Sequence, residues 1–120
     1  MTQGGPVERL ADALERLAAI GVAAGLETCA WGHAGDGNLH ATFLVDPAEA
    51  SELAVAERAA GELFGAAIEL GGTVTGEHGI GRLKRGLLAR QWSPAAVELH
   101  ERVKGAFDPK GLFNPGKKVA

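Results

Sequence analysis

The sequence predicts an α+β fold in which helices pack on a small antiparallel sheet. Four segments of the 120-residue chain carry apolar residues at steps of three and four, and two short stretches are typical of strands. Glycine accounts for 18 residues, above the usual share of roughly 7%, and marks the turns between these segments. The length suits one domain, so we expect an unstructured lead over residues 1–6 and one domain over residues 7–120.

The first two helices are predicted from periodicity and capping residues. A helix begins at Val7 and ends near Gly21 or Gly25, with Leu10 and Leu17 among its inward residues. For the second helix, Asp46 is predicted to be the N-cap, with Pro47 in the first turn and Glu49 completing a near capping box. This helix is expected to stop at Gly71-Gly72.

Two strands are predicted at Glu27–Trp31 and Leu39–Val45, and they form a hairpin. Alternation places Leu39, Ala41, Phe43 and Val45 on the core face and His40 and Thr42 on the other. Residues 73–75 add a short β-prone stretch. A sheet of two or three strands is barely stable alone, so we expect its edge to be available to another chain, including a second copy that would make a homo-oligomer.

The last third of the chain predicts a short helix over residues 80–88, with Arg82, Lys84 and Arg85 pointing outward. Ser93 and Pro94 then cap a final helix. Its inward residues are expected to be Ala96, Leu99, Val103 and Phe107.

Composition excludes several classes of protein. Twelve Lys and Arg against fifteen Asp and Glu give a net charge of −3, without the basic stripe that nucleic-acid binding needs. No apolar run approaches the ~18 residues of a membrane span. The single Cys29 cannot form an internal disulfide, and beside Trp31 it is expected to be a small buried hydrophobe. The expected setting is cytoplasmic.

The segment GHAGDGNLH (32–40) is the first candidate site. A tight turn would bring His33 and His40 to neighbouring cross-strand positions, with Cβ atoms about 5 Å apart, where two imidazoles can share a metal ion. The alternative is that both are polar hairpin residues bonded to backbone. Asp36 and Asn38 either shape the turn or act in the site.

The segment GEHGIG (76–81) is the second candidate. If Glu77 joins the two histidines, the set has the composition of a catalytic zinc site, and His78 remains free as a general base. The alternative is a Gly-rich turn that starts a helix, with Glu77 at its N-terminus. The glycine order differs from a dinucleotide-binding fingerprint. Arg82 and its basic neighbours either bind a substrate carboxylate or form a solvated helix face.

Three motifs together carry a resemblance to a known family. GHAGDGNLH, GGTVTGEHGIGRLKRGLL and VKGAFDPKGLFNPGK resemble, in this order, the C-terminal part of FAD-linked oxidases of the vanillyl-alcohol oxidase superfamily. The chain is most similar to the glycolate oxidase FAD-binding subunit, D-lactate dehydrogenase and D-2-hydroxyglutarate dehydrogenase, from about Val7 to Val119.

The resemblance implies part of a ferredoxin-like substrate domain that oxidises a 2-hydroxy acid, of the glycolate or D-lactate type, to a 2-oxo acid. It implies that His33, His40 and Glu77 bind zinc or manganese and that His78 removes the hydroxyl proton. Asn114 matches a closing motif near the flavin. Asn38, Thr42 and Arg82 are candidates for substrate contact, although many relatives carry Asn where this chain has Thr42.

The resemblance also implies that FAD is bound mainly by an upstream domain, and no segment of this chain resembles one. We therefore expect a chain that is inactive alone and depends on an FAD-binding domain or subunit. The alternatives are a stand-alone metal-binding or interaction module without redox activity and, less supported, a small metal-dependent hydrolase.

Overall fold

The computed structural model describes residues 2–118. Met1, which belongs to the predicted lead, and residues 119–120, at the end of the predicted domain, lie outside the described residues. Where the sequence predicts one domain, the chain divides into two compact units, the first ending at His78 and the second beginning at Gly79. The division falls in residues 74–84, which contain neither helix nor strand.

The first unit contains a three-stranded antiparallel sheet. Its strands are β1 (Thr2–Gly4), β2 (Thr28–His33) and β3 (Asn38–Phe43), in the order β1-β3-β2. The predicted hairpin of β2 and β3 is confirmed. Strand β1 corrects the expectation of an unstructured lead over residues 1–6: it pairs with the open edge of β3, and its Gln3 is buried. This strand was not predicted because its sequence, Thr-Gln-Gly, contains no apolar residue and no alternation.

Strand β3 has the predicted alternation, with Leu39, Ala41 and Phe43 buried on one face. Two of these side chains belong to the main core. This core consists of Leu17, Ala41, Phe43, Ala59 and Leu63, with Ile20, Ala24, Leu26 and Ala56 packed against it.

Strand β2 is exposed along almost its whole length, and only Thr28 is half-buried. Cys29 is exposed, which corrects the expectation that it is buried. Even Ala30, on the core side of the sheet, is exposed. The outer position of the strand explains both observations, because one edge of β2 has no neighbouring strand in the described chain.

Helix α1 (Leu10–Ala24) follows a 3-10 turn at Val7–Arg9 and ends at Gly25, as predicted. Helix α2 (Ala50–Glu69) packs against α1 and ends just before Gly71. Two helices on an antiparallel sheet therefore confirm the α+β class in this unit.

Helix α2 begins at Ala50, later than predicted, because the Asp46 side chain forms a turn instead of capping the helix. The Oδ1 atom of Asp46 accepts the backbone N–H of Ala48 at 2.9 Å, which forms a turn in front of the helix. Glu52, instead of Glu49, returns to the backbone N–H of Asp46 at 2.8 Å. The N-cap of α2 is Glu49, whose side chain makes no capping hydrogen bond, so the predicted capping box does not form.

The second unit contains α3 (Leu88–Gln91), preceded by a 3-10 turn at Arg85–Leu87, and α4 (Pro94–Phe107). The Ser93 side chain caps α4 as predicted, and its Oγ accepts the N–H of Ala96 at 3.3 Å. The helix predicted over residues 80–88 is mostly turns. Within it, Leu83 is 98% exposed and Lys84 is buried, which contradicts the prediction at these two positions, whereas Arg82 and Arg85 are exposed as predicted. Burial lowers the pKa of the Lys84 ammonium.

The apolar residues of α4 form an exposed stripe instead of an inward face. Leu99, Val103 and Phe107 are 58%, 49% and 84% exposed. Two further exposed apolar residues, Leu112 and Phe113, follow the helix. We call these five residues the α4 stripe. The predicted inward face is therefore wrong for the three helical residues of the stripe, because the half-buried positions of α4 include His100 and Lys104 instead.

Asp108 closes the end of α4. Its carboxylate accepts the backbone N–H groups of Leu112 and Phe113, each at 2.9 Å, and the ammonium of Lys104. Lys104 also donates to the carbonyl oxygen of Phe113 at 2.9 Å. This buried carboxylate fixes the predicted turn that begins at Asp108.

Among residues 2–118, no helix combines the length and the apolar character needed to cross a membrane.

Candidate metal and substrate site

Four titratable side chains of the first unit meet on the sheet face opposite the core. His33 lies at the end of β2 and His40 within β3, while Glu77 and His78 belong to the loop after α2. The ring centroids of His40 and His78 are 5.4 Å apart. All four side chains were predicted candidates, and the fold brings them together.

The two hairpin histidines share a face but are not directly opposite each other. His33 pairs with Asn38, and His40 pairs with Trp31, so the histidines form a diagonal pair. Their ring centroids are 6.1 Å apart. Gly37 closes the intervening turn at a φ of 66°, where an added Cβ would lie 1.9 Å from the carbonyl oxygen of Gly5. A side chain there would therefore displace the hairpin that aligns the histidines.

Strand β1 anchors the loop that carries Glu77. Thr73 and Gly4 exchange two backbone hydrogen bonds, of 2.6 and 3.3 Å. The Thr73 hydroxyl then donates to the carbonyl oxygen of Thr75 at 2.6 Å. The position of Glu77 thus depends on a strand that the sequence did not predict.

Glu77 uses its two carboxylate oxygens differently. Oε1 lies 3.3 Å from Nε2 of His40 and 3.5 Å from Nε2 of His78. Oε2 accepts a hydrogen bond from Nδ2 of Asn38 at 3.0 Å. One oxygen therefore faces the imidazoles while the other is held by an amide.

The donor set fits a divalent metal ion. One ligand atom each from His33, His40 and Glu77 lies within 4.8 Å of the others. Bonds of about 2.0–2.2 Å to one ion require ligand atoms roughly 3–4 Å apart, which small side-chain rotations can reach. Two imidazoles and a carboxylate suit zinc, and imidazole with carboxylate also suits manganese. The same contacts would also serve an ion pair between Glu77 and a protonated histidine.

Burial leaves one side of the cluster open. The His40 side chain is 13% exposed, compared with 45% for Glu77 and 62% for His78. A ligand can therefore approach from the side of His78 while His40 stays fixed in the sheet.

The predicted substrate residues divide between the units. Asn38 and Thr42 lie on the face of His40, where Asn38 binds Glu77 and Thr42 pairs with Cys29. Arg82 and Asn114 are exposed residues of the second unit, and their roles stay predictions.

Trp31 contacts the candidate site, although it was not among the predicted site residues. It lies opposite His40 in the sheet, and its ring is parallel to the imidazole within 2°. The sequence contained the information needed to include Trp31, because alternation along β2 places residues 31 and 33 on the same face of the sheet.

Comparison with known proteins places this chain in a family. The family model described as FAD linked oxidases, C-terminal domain, matches residues 5–118. The glycolate oxidase subunit GlcD of Bacillus subtilis (strain 168) is 39% identical over 115 residues, which are 96% of this chain and 24% of that protein. The subunit of the same name from Escherichia coli (strain K12) is 45% identical over 87 residues, or 72% of this chain and 17% of that protein.

A probable mitochondrial D-lactate dehydrogenase of Danio rerio is 42% identical over 86 residues, which are 72% of this chain and 17% of that protein. The chain thus spans about a quarter or less of the length of these relatives. The family match covers both compact units and includes the His33, His40 and Glu77 cluster. The chain belongs to the family of C-terminal domains of FAD-linked oxidases.

Proposed function

We propose that this chain is the metal- and substrate-binding part of an FAD-dependent oxidoreductase that converts a 2-hydroxy acid, of the glycolate or D-lactate type, into a 2-oxo acid. The observation that carries the proposal is the cluster of His33, His40 and Glu77, with His78 beside it and open to a ligand. The names of the relatives support this substrate class.

His33, His40 and Glu77 would hold a zinc or manganese ion. When bound, such an ion lowers the pKa of a coordinated hydroxyl group and neutralises a neighbouring carboxylate. Nε2 of His78 would accept the hydroxyl proton, because its exposed ring lies beside the cluster without being needed as a ligand. Thr42 lies on the same face for substrate contact. Arg82 and Asn114 are proposed to contact the substrate carboxylate and the flavin side.

The described residues do not fit FAD. An apolar cleft of about 40 Å³ lies on the core side of the sheet, lined by residues that include Gln3 and Leu39. A second cleft, of about 160 Å³, lies between α1 and α2 and is lined by residues that include Ile20 and Arg58. Ligand pockets usually offer about 300–1,000 Å³. The proposal therefore assigns the flavin, and the oxidation that depends on it, to another domain or subunit, without which this chain is inactive.

Two surfaces support a partner of that kind. Strand β2 is exposed on both faces and unpaired at one edge within the described chain. The α4 stripe exposes large apolar residues that a separate protein would usually cover. We propose that the flavin-carrying part covers these surfaces, and a homo-oligomer through the β2 edge is the second arrangement. The exposed Cys29, which no other cysteine can pair, supports a reducing, cytoplasmic setting.

A chimera tests the function. The chain would replace the matching 115 residues of the Bacillus subtilis relative, and the purified chimera would be assayed with glycolate and D-lactate and a dye as electron acceptor. We expect turnover that depends on metal and is lost in Glu77→Ala. The chain alone should be colourless and remain inactive with free FAD.

A metal-binding or interaction module without redox activity is the second candidate, because the metal cluster does not itself require a flavin. Metal binding by the chain, together with a chimera that retains flavin and metal but has no turnover, would favour it. Unchanged metal affinity in both His33→Ala and Glu77→Ala would contradict both candidates.

A further inference from the structure

Asn38 is hydrogen-bonded to one of the two carboxylate oxygens of Glu77. Its Nδ2 atom donates to Oε2 of Glu77 at 3.0 Å, and this leaves Oε1 toward His40 and His78. A carboxylate with one oxygen held by a donor loses rotational freedom, so its other oxygen is presented in one direction. The hydrogen bond also fixes the orientation of the amide, because only its NH₂ end can donate to a carboxylate.

Asn38 is itself held firmly. It lies in the central strand, where it pairs with Gly4 on one side and with His33 on the other. Its Oδ1 atom is buried, and no hydrogen-bond partner for it is found among the described residues. Its contact with Glu77 is therefore made from a half-buried side chain whose amide oxygen is enclosed.

Gly76 provides the space that this amide occupies. A Cβ atom added at Gly76 would lie 2.1 Å from Oδ1 and 2.6 Å from Cγ of Asn38, and 3.0 Å from the carbonyl oxygen of Gln3. Real Cβ atoms essentially never make contacts below 3.0 Å. A side chain at position 76 is therefore incompatible with the present position of the Asn38 amide.

We infer that Asn38 is a positioning residue, which orients Glu77 for metal binding, and that glycine at position 76 is required because the Asn38 amide fills the place of its side chain. The inference rests on the proposed metal site. It assigns Asn38 a role toward Glu77 in place of the predicted contact with substrate.

Metal affinity of the complete chain tests the inference. Mn²⁺ and Zn²⁺ would be titrated by calorimetry into wild type, Asn38→Ala and Gly76→Ala, with thermal unfolding of each metal-free protein as a check on folding. Both variants should bind metal roughly 10–100-fold more weakly, the usual effect of removing a partner of a metal ligand. Gly35→Ala, whose added Cβ meets nothing within 4 Å, and Cys29→Ala should bind as wild type does.

A double variant separates positioning from general damage. If the Gly76→Ala effect arises from the displaced amide, it should be much smaller in the Asn38→Ala background, because the clashing atoms are gone. Full additivity would overturn the role assigned to Gly76. Wild-type affinity in Asn38→Ala would overturn the positioning role while leaving the metal site intact.

Nuclear magnetic resonance of the metal-free chain keeps the inference testable even if wild type binds no metal, which would contradict the proposed function. The side-chain NH₂ signals of Asn38 should shift in Glu77→Ala and in Gly76→Ala and stay unchanged in Gly35→Ala. Unchanged Asn38 signals in Glu77→Ala would overturn the inference.

Discussion

Trp31 lies directly opposite His40 in the β2–β3 pair, and their rings stack with centroids 5.8 Å apart. The indole is therefore in contact with a proposed metal ligand. In a Trp92→Phe variant, Trp31 is the one remaining tryptophan of two. We expect Mn²⁺, which is paramagnetic, to quench its fluorescence in a saturable titration.

The matched control for this titration is His40→Ala in the same Trp92→Phe background. Loss of a ligand should remove the saturable quenching while leaving tryptophan emission itself. An identical titration midpoint with and without His40 would contradict a metal site at this position.

A His78→Gln substitution should separate proton transfer from metal binding. Because His78 is proposed as the base and not as a ligand, the Mn²⁺ affinity of the chain should be unchanged. The kcat of the chimera should fall by roughly 10²–10⁴-fold, the usual contribution of a positioned base. His100→Gln, in the second unit, is the control and should retain turnover. A large loss of metal affinity in His78→Gln would make His78 a ligand instead.

Asp108 should make the second unit sensitive to acid. The hydrogen bond from Lys104, helped by the N–H groups of Phe113 and Leu112 against the opposing effect of burial, lowers the pKa of Asp108 from its usual 3.8. A carboxylate whose pKa is lower in the folded state than in the unfolded state stabilises the fold at any pH above its unfolded pKa. This stabilisation decreases as the pH falls through the folded pKa, so the loss should begin below about pH 4. Asp108→Asn should lower the thermal midpoint at pH 7 and narrow its difference from wild type in acid, as followed by circular dichroism. An equal gap at pH 7 and pH 3 would contradict this account.

Gln3 should be a residue whose replacement stabilises the first unit. Its side chain is buried, and neither amide atom has a hydrogen-bond partner among the described residues. Since a buried unpaired polar group costs about 1–3 kcal/mol, Gln3→Leu should raise the free energy of unfolding by about 1 kcal/mol. Urea denaturation measures the change. A less stable variant would indicate that the amide has a partner, such as a buried water.

The α4 stripe should drive self-association of the isolated chain. Leu99 and Phe107 lie two helical turns apart on the same side of α4 and are both exposed. Replacing both by Lys should reduce the apparent mass in gel filtration and the binding of a hydrophobic dye. Val22→Lys is the matched control, because Val22 is 82% exposed outside the stripe. An equal reduction in the control would attribute the effect to added charge alone.

Local signals predicted the parts of the fold that depend on neighbours in sequence. Alternation identified the buried face of β3 through Phe43, and Ser93-Pro94 located the start of α4. Glycine spacing and residue chemistry together indicated His33, His40 and Glu77, although the family resemblance was needed to propose a role for each.

The errors share a physical cause, which is that burial depends on partners distant in the chain. Thr2–Gly4 becomes a strand only because β3 offers an open edge. Lys84 is buried and Leu83 exposed because turns replace the helix that periodicity predicts there. The contact of Asn38 with Glu77 spans 39 residues, and no local pattern encodes it.

The unpaired edge of β2 in the described chain also affects how much folded protein a cell can keep free of aggregation. The strand reads Thr-Cys-Ala-Trp-Gly-His, without the lysine or proline that commonly keeps an edge strand from joining others. Copies that outnumber the proposed flavin-carrying part would be exposed to aggregation and to proteases. We therefore expect the two parts to be needed in matched amounts, a balance that synthesis as one polypeptide would guarantee.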